Sequence, residues 1–226
     1  MTTAATDPAE DLPEDVDTDA AARAALYALL ARAFEHPDED FHAAAGDGAL
    51  NDEVGQYLGE SELGVSTPNL TVEESAEDLA ARYNGLFTVG HARYTDRTDG
   101  SLDSEGPPVP LYESSYREAA WNDVNRDLAR AYDYFGLAVD DEEREHHDHL
   151  TLELEFAAYL CRREALGEDA AARARRDYLD RHLDPFTEAL VERLAEVERE
   201  FYTAVATLAR RVVVADFEDL GGAADG

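Results

Sequence analysis

His149 and Glu153 stand four residues apart in the stretch His147–Leu160, HDHLTLELEFAAYL, whose other inward positions are apolar. At about 100° per residue, Leu150, Leu154, Ala157 and Cys161 fall on one side of a helix. His149, Glu153, Phe156 and Leu160 form an adjoining stripe, while Thr151, Glu155 and Arg162 point away. Side chains at i and i+4 can meet, and an imidazole and a carboxylate taken out of water are costly unless paired. The pattern predicts a His149–Glu153 pair, with Asp148 capping the first free amides of the helix. Two readings fit it: a satisfied core pair behind a cap, or one wall of a binding site.

Other chemistry is scarce. The chain carries no Gly-Lys-Ser/Thr phosphate loop, no G-x-G-x-x-G after a strand, no G-x-S-x-G elbow and no HEXXH. The run His146-His147-Asp148-His149 has metal-ligating residue types, but neighbours on a helix point apart. At most two of them converge unless a distant residue such as His182 joins. Capping and hydrogen bonding explain the run more simply, so no metal, no cofactor and no catalytic residue are expected.

The elements that must position these residues are helices. Residues 1–17 are acidic, Pro-containing and aperiodic, which predicts a disordered N-terminus. Thr18 or Asp19 can cap a first helix with Ala22, Leu26, Leu29, Leu30, Ala33 and Phe34 inward, ended by His36-Pro37. Short turns near Phe41 and around Val54, Tyr57 and Leu58 follow. A helix after Thr71, with Glu74 completing a capping box, carries Leu79, Tyr83, Leu86 and Phe87 and stops at Gly90. Residues 91–110 form a long irregular loop, a length that goes with function or disorder. A helix from near Glu113 or Ser114 to Phe135 precedes the acidic linker DDEEREHH and the central stretch. A shorter helix then carries Ala171, Ala174 and Tyr178 and ends at HLDP. One long helix runs from Phe186 to about Val214, and residues 216–226 read as a flexible acidic tail. No convincing strand is present. The class is all-α, a single-domain helical bundle over residues 18–215.

Composition narrows the partners. The 226 residues carry 52 acidic and 19 basic side chains, a net charge of −33, and every basic one is Arg. An acidic shell without Lys resembles proteins adapted to high intracellular salt, though a basic partner would select the same charge. No nucleic-acid partner is expected, since phosphate neutralisation needs basic clusters. The lone Cys161 rules out a disulfide framework. No run of about 18 apolar residues is present, so no membrane insertion is expected, and the N-terminus lacks a signal-peptide pattern. A cytoplasmic protein is expected.

Three segments carry more information together than apart. They are Tyr83-x-x-Leu86-Phe87-x-x-Gly90, then Pro110-Leu111-Tyr112-Glu113-Ser114-Ser115-Tyr116, then Asp148-His149-Leu150-x-x-Glu153-Leu154-x-Phe156. In order, spacing and helical setting they resemble the TorD/DmsD/NarJ family of redox-enzyme maturation chaperones. The family patterns are an aromatic-x-x-Leu-Phe, a Pro-Tyr-Glu-Ser-Val-Tyr and a Pro-Asp-His-Leu followed by Glu-Leu. His182-Leu183-x-x-Phe186 and Phe201-Tyr202 are similar to the family's closing helices. The chain departs at His147, where Pro is usual, at Leu111, where a second Pro is common, and at Ser115, which replaces Val.

The resemblance implies a TorD-like fold and a cytoplasmic chaperone, not an enzyme. Such a protein binds the catalytic subunit of a molybdopterin oxidoreductase of DMSO/TMAO or nitrate reductase type, and in many cases its twin-arginine signal peptide. It holds that subunit for cofactor insertion, working as a monomer or homodimer. The peptide-binding residues it implies are Tyr83, Leu86, Phe87, Tyr112, Glu113, Ser114, Tyr116, Asp148 and His149. Glu153 joins them on physical grounds. A signal peptide with a basic start and an apolar middle needs aromatic walls and carboxylates that receive guanidinium groups. Tyr83, Leu86, Phe87, Tyr112 and Tyr116 can be the walls, or, for Leu86 and Phe87, simply core. A helical adaptor or regulatory module with a different peptide partner is the alternative.

Self-repulsion at this charge makes folding depend on screening. Far-ultraviolet circular dichroism is expected to show helix gained between low and molar salt; equal spectra at both ends would refute a salt-dependent fold.

Overall fold

In the computed structural model, the residues described are 16–89, 92–93, 103–104, 106–118, 121–139, 146–197 and 200–222. Among the described residues, nine α-helices form the bundle: α1 (Thr18–Ala33), α2 (Glu39–Asp47), α3 (Ala49–Glu60), α4 (Ala76–Tyr83), α5 (Trp121–Tyr134), α6 (Leu150–Ala165), α7 (Asp169–Tyr178), α8 (Asp184–Val197) and α9 (Phe201–Gly222). A two-residue antiparallel ladder, β1 (Ala92–Arg93) with β2 (Asp103–Ser104), lies within the stretch read as irregular. The expected disordered N-terminus falls mostly outside the described residues.

Helix starts follow from local chemistry. Asp17, rather than Thr18 or Asp19, caps α1 by accepting from the amides of Asp19 and Ala20 at 3.0 and 3.2 Å. Asp38 accepts from Phe41 N at 2.8 Å to begin α2. Ser75, not Thr71, caps α4, its hydroxyl accepting from Asp78 N and donating to the Asp78 carboxylate. The capping box expected at Thr71 and Glu74 is replaced by this Ser75 cap, with Asp78 holding the capping hydroxyl in place. Gly48 joins α2 to α3 at φ 91°, a left-handed turn without Cβ strain.

The principal packing joins α1 to α6, and Leu26, Tyr27 and Leu30 of the first and Leu150, Leu154, Ala157 and Cys161 of the second are all buried in one core. The apolar stripes of the central stretch are therefore core, as their period requires. α8 and α9 pair as a hairpin beside it. They are two helices where the sequence suggested one, divided after Val197.

Two wide π-turns interrupt the regular helices among the described residues, the second of them where a helix end was expected. One, Asn84–Thr88, continues α4 and ends with Val89 N donating to Asn84 O at 2.8 Å. The other, Leu179–Leu183, carries α7 into α8 through HLDP. A π-turn takes up one extra residue and shifts the facing of the side chains after it. Here the turn contains His182, which is buried. By contrast, the helix expected from Glu113 is a 3₁₀ turn, Glu113–Tyr116, separate from α5.

The C-terminal boundary needs correction. α9 runs to Gly222, and Asp216, assigned above to a flexible tail, is fully buried. Its carboxylate accepts from Arg23 Nη1 at 2.9 Å and from Tyr27 Oη at 2.8 Å, with Arg175 Nη2 at 3.5 Å. α1, α7 and α9 thus meet at one carboxylate, a contact between segments far apart in sequence. No described helix is long and apolar enough to cross a membrane.

Removing one member of a buried ion network strands the others. Asp216→Ala is expected to cost about 3–5 kcal/mol, read as a lowered urea midpoint. An effect below about 1 kcal/mol would show the network to be dispensable.

Candidate functional site

Three chain segments far apart in sequence meet at one corner of the bundle. Val109 N donates to Leu86 O at 3.0 Å, joining the loop to the end of the first motif. Tyr112 and His149 form an antiparallel bridge, flanked by Glu113 N to Asp148 O and Leu150 N to Leu111 O, both at 2.9 Å. The Ser114 amide donates to Asp148 Oδ2 at 3.0 Å, and Tyr116 Oη donates to Pro110 O at 2.9 Å. Tyr116 also lies against Phe186, ring centroids 5.6 Å apart. The motifs are thus parts of one backbone construction.

Asp148 does not cap α6. His149 does, its Nδ1 accepting from Thr151 N at 3.3 Å, with Thr151 Oγ1 2.7 Å away. The Asp148 side chain reaches across the bridge to the second motif instead, which its place one residue before the cap permits. Nor do His149 and Glu153 pair. His149 is half-buried at the surface end and its ring meets Tyr112 at 5.0 Å, whereas Glu153 is fully buried.

Glu153 belongs to an inner group with Glu113, His182 and Tyr178. Tyr178 Oη donates to Glu153 Oε2 at 3.2 Å and lies 3.0 Å from Glu153 O. Glu113, also fully buried, faces His182 Nδ1 through Oε2 at 2.9 Å, and its Oε1 accepts from Arg117. The other imidazole nitrogen, Nε2, faces Asp127 Oδ2 at 3.2 Å. Donor atoms of Glu113, Glu153 and His182 all lie within 4.8 Å of one another. Glu153 Oε1 and Asp148 Oδ1 are buried without a hydrogen-bond partner. Burial first, then the charges of Glu113 and Asp148, push the Glu153 carboxyl well above its ordinary value near 4.5.

Tyr83, Leu86 and Phe87 take the core reading. They are 8%, 8% and 7% exposed, and the Tyr83 and Phe87 rings pack with Phe34 and Tyr202. Tyr83 Oη donates to Phe34 O at 3.0 Å. They support the corner from behind and are not open groove walls, a correction that follows from their helical spacing. Of the remaining implied residues, Tyr112 is exposed, Ser114, Tyr116 and His149 are half-buried, and Glu113, Asp148 and Glu153 are sealed.

Two concave surfaces flank the corner. A cleft of about 420 Å³ is lined by Glu113, Asp123, Asp127, Asp180 and His182, with Arg117 and Arg181 at its edge. A groove of about 500 Å³ is formed by Tyr132, Leu137, Val139, Leu152, Phe156 and Tyr159, with Glu35, Glu155 and Arg162 around it. Both touch α5, the first through Val124 and the second through Tyr132. Asp127 and Arg117 escaped the sequence reading because nothing local marks them. His182 had a signal: it follows Tyr178 by four residues, a polar group continuing an apolar stripe.

The model of the nitrate reductase delta subunit family matches residues 19–192, most of the chain and both halves of this corner. The chain belongs to that family. Curated relatives agree in extent. The perchlorate reductase assembly chaperone protein of Dechloromonas aromatica is 32% identical over 88% of this chain and 90% of its own length. The selenate reductase assembly chaperone protein of Thauera selenatis is 32% identical over 72% and 71%. The dimethyl sulfide dehydrogenase assembly chaperone protein of Rhodovulum sulfidophilum is 33% identical over 76% and 70%. These relatives of the delta subunit family are assembly chaperones rather than catalysts, as the three-motif resemblance implied.

The raised Glu153 carboxyl sets a pH dependence of stability. The unfolded chain releases this proton near the ordinary value and the folded chain releases it at higher pH. Its contribution is therefore complete below about 4.5 and is lost as pH rises through the folded value. Glu153→Gln keeps the shape and cannot ionise. In chelator-treated protein its urea stability is expected to fall less than wild type between about pH 5 and pH 8; parallel curves would refute the assignment.

Proposed function

We propose that this protein is a cytoplasmic chaperone for the catalytic subunit of a molybdopterin oxidoreductase of the DMSO/TMAO or nitrate reductase type. It engages that subunit's twin-arginine signal peptide and holds the subunit for cofactor insertion before assembly or export. Family membership and the assembly-chaperone relatives support the general role. The observation that carries the peptide reading is the placement of a carboxylate cleft and an aromatic groove along one helix. Val124 and Tyr132 are eight residues apart on α5, about 12 Å along its axis. A short segment with basic residues at one end and apolar residues following spans that distance.

The cleft suits guanidinium groups. Asp123, Asp127 and Asp180 offer carboxylate oxygens beside the buried Glu113, and such groups accept Arg bidentately. Arg181 already uses one of these acids, bonding Asp127 as well as Asp177 on its own helical stretch. The chain's own arginine therefore marks where a client's arginine is received, and exchange of one guanidinium for another leaves the ion pairing conserved. The groove suits the apolar part: Leu152, Tyr159 and Val139 are only half-buried over a floor of Phe156. An apolar helix face laid into such a groove removes both surfaces from water. This places the apolar walls on α6 and the end of α5, in place of Tyr83, Leu86 and Phe87.

Fluorescence anisotropy with a labelled twin-arginine peptide tests this. Leu152→Glu and Asp127→Asn are each expected to weaken binding about tenfold, roughly 1.4 kcal/mol, with helix content unchanged. Replacing both peptide arginines by Gln is expected to do at least as much. Equal affinity across these variants and peptides would overturn the proposed site and favour an adaptor with another partner.

A further inference from the structure

The geometry points to a divalent-cation site in this protein, formed by Glu113, Glu153 and His182 and suited to a first-row transition ion of the zinc class. Their donor atoms lie within 4.8 Å of one another, and all three side chains are at least nine-tenths buried. They come from the 3₁₀ turn after the long loop, from α6 and from the π-turn between α7 and α8. Two carboxylate oxygens and one imidazole nitrogen are a donor set that zinc, iron(II) and manganese(II) accept.

Each of the three has an outer partner on the atom that a cation would not use. Asp127 faces His182 Nε2 at 3.2 Å, leaving Nδ1 turned inward. Metal-bound imidazoles generally donate their second N–H to a carboxylate in this way. Arg117 holds Glu113 Oε1, leaving Oε2 toward His182. Tyr178 donates to Glu153 Oε2, and Glu153 Oε1 is buried with no partner at all. That orphaned oxygen is the independent sign of a missing ligand, because a buried acceptor left unpaired is costly. Asp148 Oδ1 is a second such orphan, on the residue that anchors the neighbouring Ser114 amide. A cation between these groups supplies the positive charge that two sealed carboxylates require.

Access and size are consistent. Glu113 and His182 line the open cleft of about 420 Å³, which provides an entry path. Oxygen and nitrogen donors about 2.1 Å from one ion stand roughly 3.4 Å apart, so Glu113 Oε2 and His182 Nδ1, now 2.9 Å apart, open slightly on binding while Glu153 draws in. Calcium, which takes six to eight oxygens, is excluded by the imidazole and the small donor number. The inference does not rest on the chaperone reading, since binding is measured on the chain alone.

The test uses the full chain, stripped with chelator and returned to buffer with excess magnesium to occupy surface carboxylates. Zinc is titrated against a chromophoric chelator and by calorimetry. The expected result is one saturable zinc per chain and a raised melting temperature. His182→Ala and Glu153→Gln should each weaken zinc at least tenfold, and Asp127→Asn about tenfold through the outer bond. Circular dichroism confirms that each variant is folded. Should His182→Ala fail to fold, the isosteric Glu153→Gln and Glu113→Gln carry the test. His146→Ala with His147→Ala, outside the site, should change nothing. No one-to-one binding, binding indifferent to the folded site variants, or binding lost with His146 and His147 would each overturn the proposal.

Discussion

Carboxyl groups taken out of water need partners, and this bundle seals three of them, Glu113, Asp148 and Glu153, at a single corner. Much of the local architecture answers that demand. Asp148 Oδ2 is held by the Ser114 amide, Glu113 by Arg117 and His182, and Glu153 Oε2 by Tyr178, with Asp148 Oδ1 and Glu153 Oε1 left unpartnered. Ser114 and Arg117 come from the segment before α5, and Tyr178 and His182 from the α7–α8 junction. The corner therefore forms only when the loop before α5, the start of α6 and the α7–α8 junction are all in place. A polar cluster of this kind defines one arrangement more sharply than apolar packing does, because misplacement leaves a buried group unpaired.

The π-turn at Leu179–Leu183 shows how the backbone serves that cluster. Without the extra residue, a straight helix through HLDP would carry His182 on the stripe of Tyr178 and place Pro185 against a carbonyl one turn back. The wider turn accommodates Pro185 and keeps His182 stacked on Tyr178, ring centroids 5.5 Å apart, between Glu113 and Asp127. The matching π-turn at Asn84–Thr88 lets Leu86 O receive the loop amide of Val109 while Phe87 remains among Phe34, Tyr83 and Tyr202. Both turns trade regular helix for the placement of one side chain, as is common where a helix meets a functional surface.

Helical class, the inward stripes of α1 and α6 and the buried state of Glu153 were legible in sequence, because 3.6-residue periodicity reports burial directly. Partner identity was not. His149 and Glu153 are spaced to touch, yet the cap position turns the imidazole outward to Thr151 while Tyr178 from another helix reaches Glu153 first. Asp148 looked like a cap because local spacing cannot show a strand bridge formed with Tyr112. The acidic end of α9 read as tail since nothing nearby in sequence announces Arg23, which makes Asp216 a core residue. The three motifs, by contrast, were recognisable as a set, and their set character is physical: backbone hydrogen bonds join them at one place.

The protein's charge acts at two different ranges. Most of the net −33 is solvated, so in molar salt, where the Debye length is about 3 Å, it neither attracts nor orients anything at a distance. Carboxylates at the inner end of the Asp127–His182–Glu113 line are shielded from that screening by the bundle itself. A cation or guanidinium reaching them loses its own water and gains contacts that salt does not replace. Under the proposed function, discrimination comes from the few acids withheld from solvent.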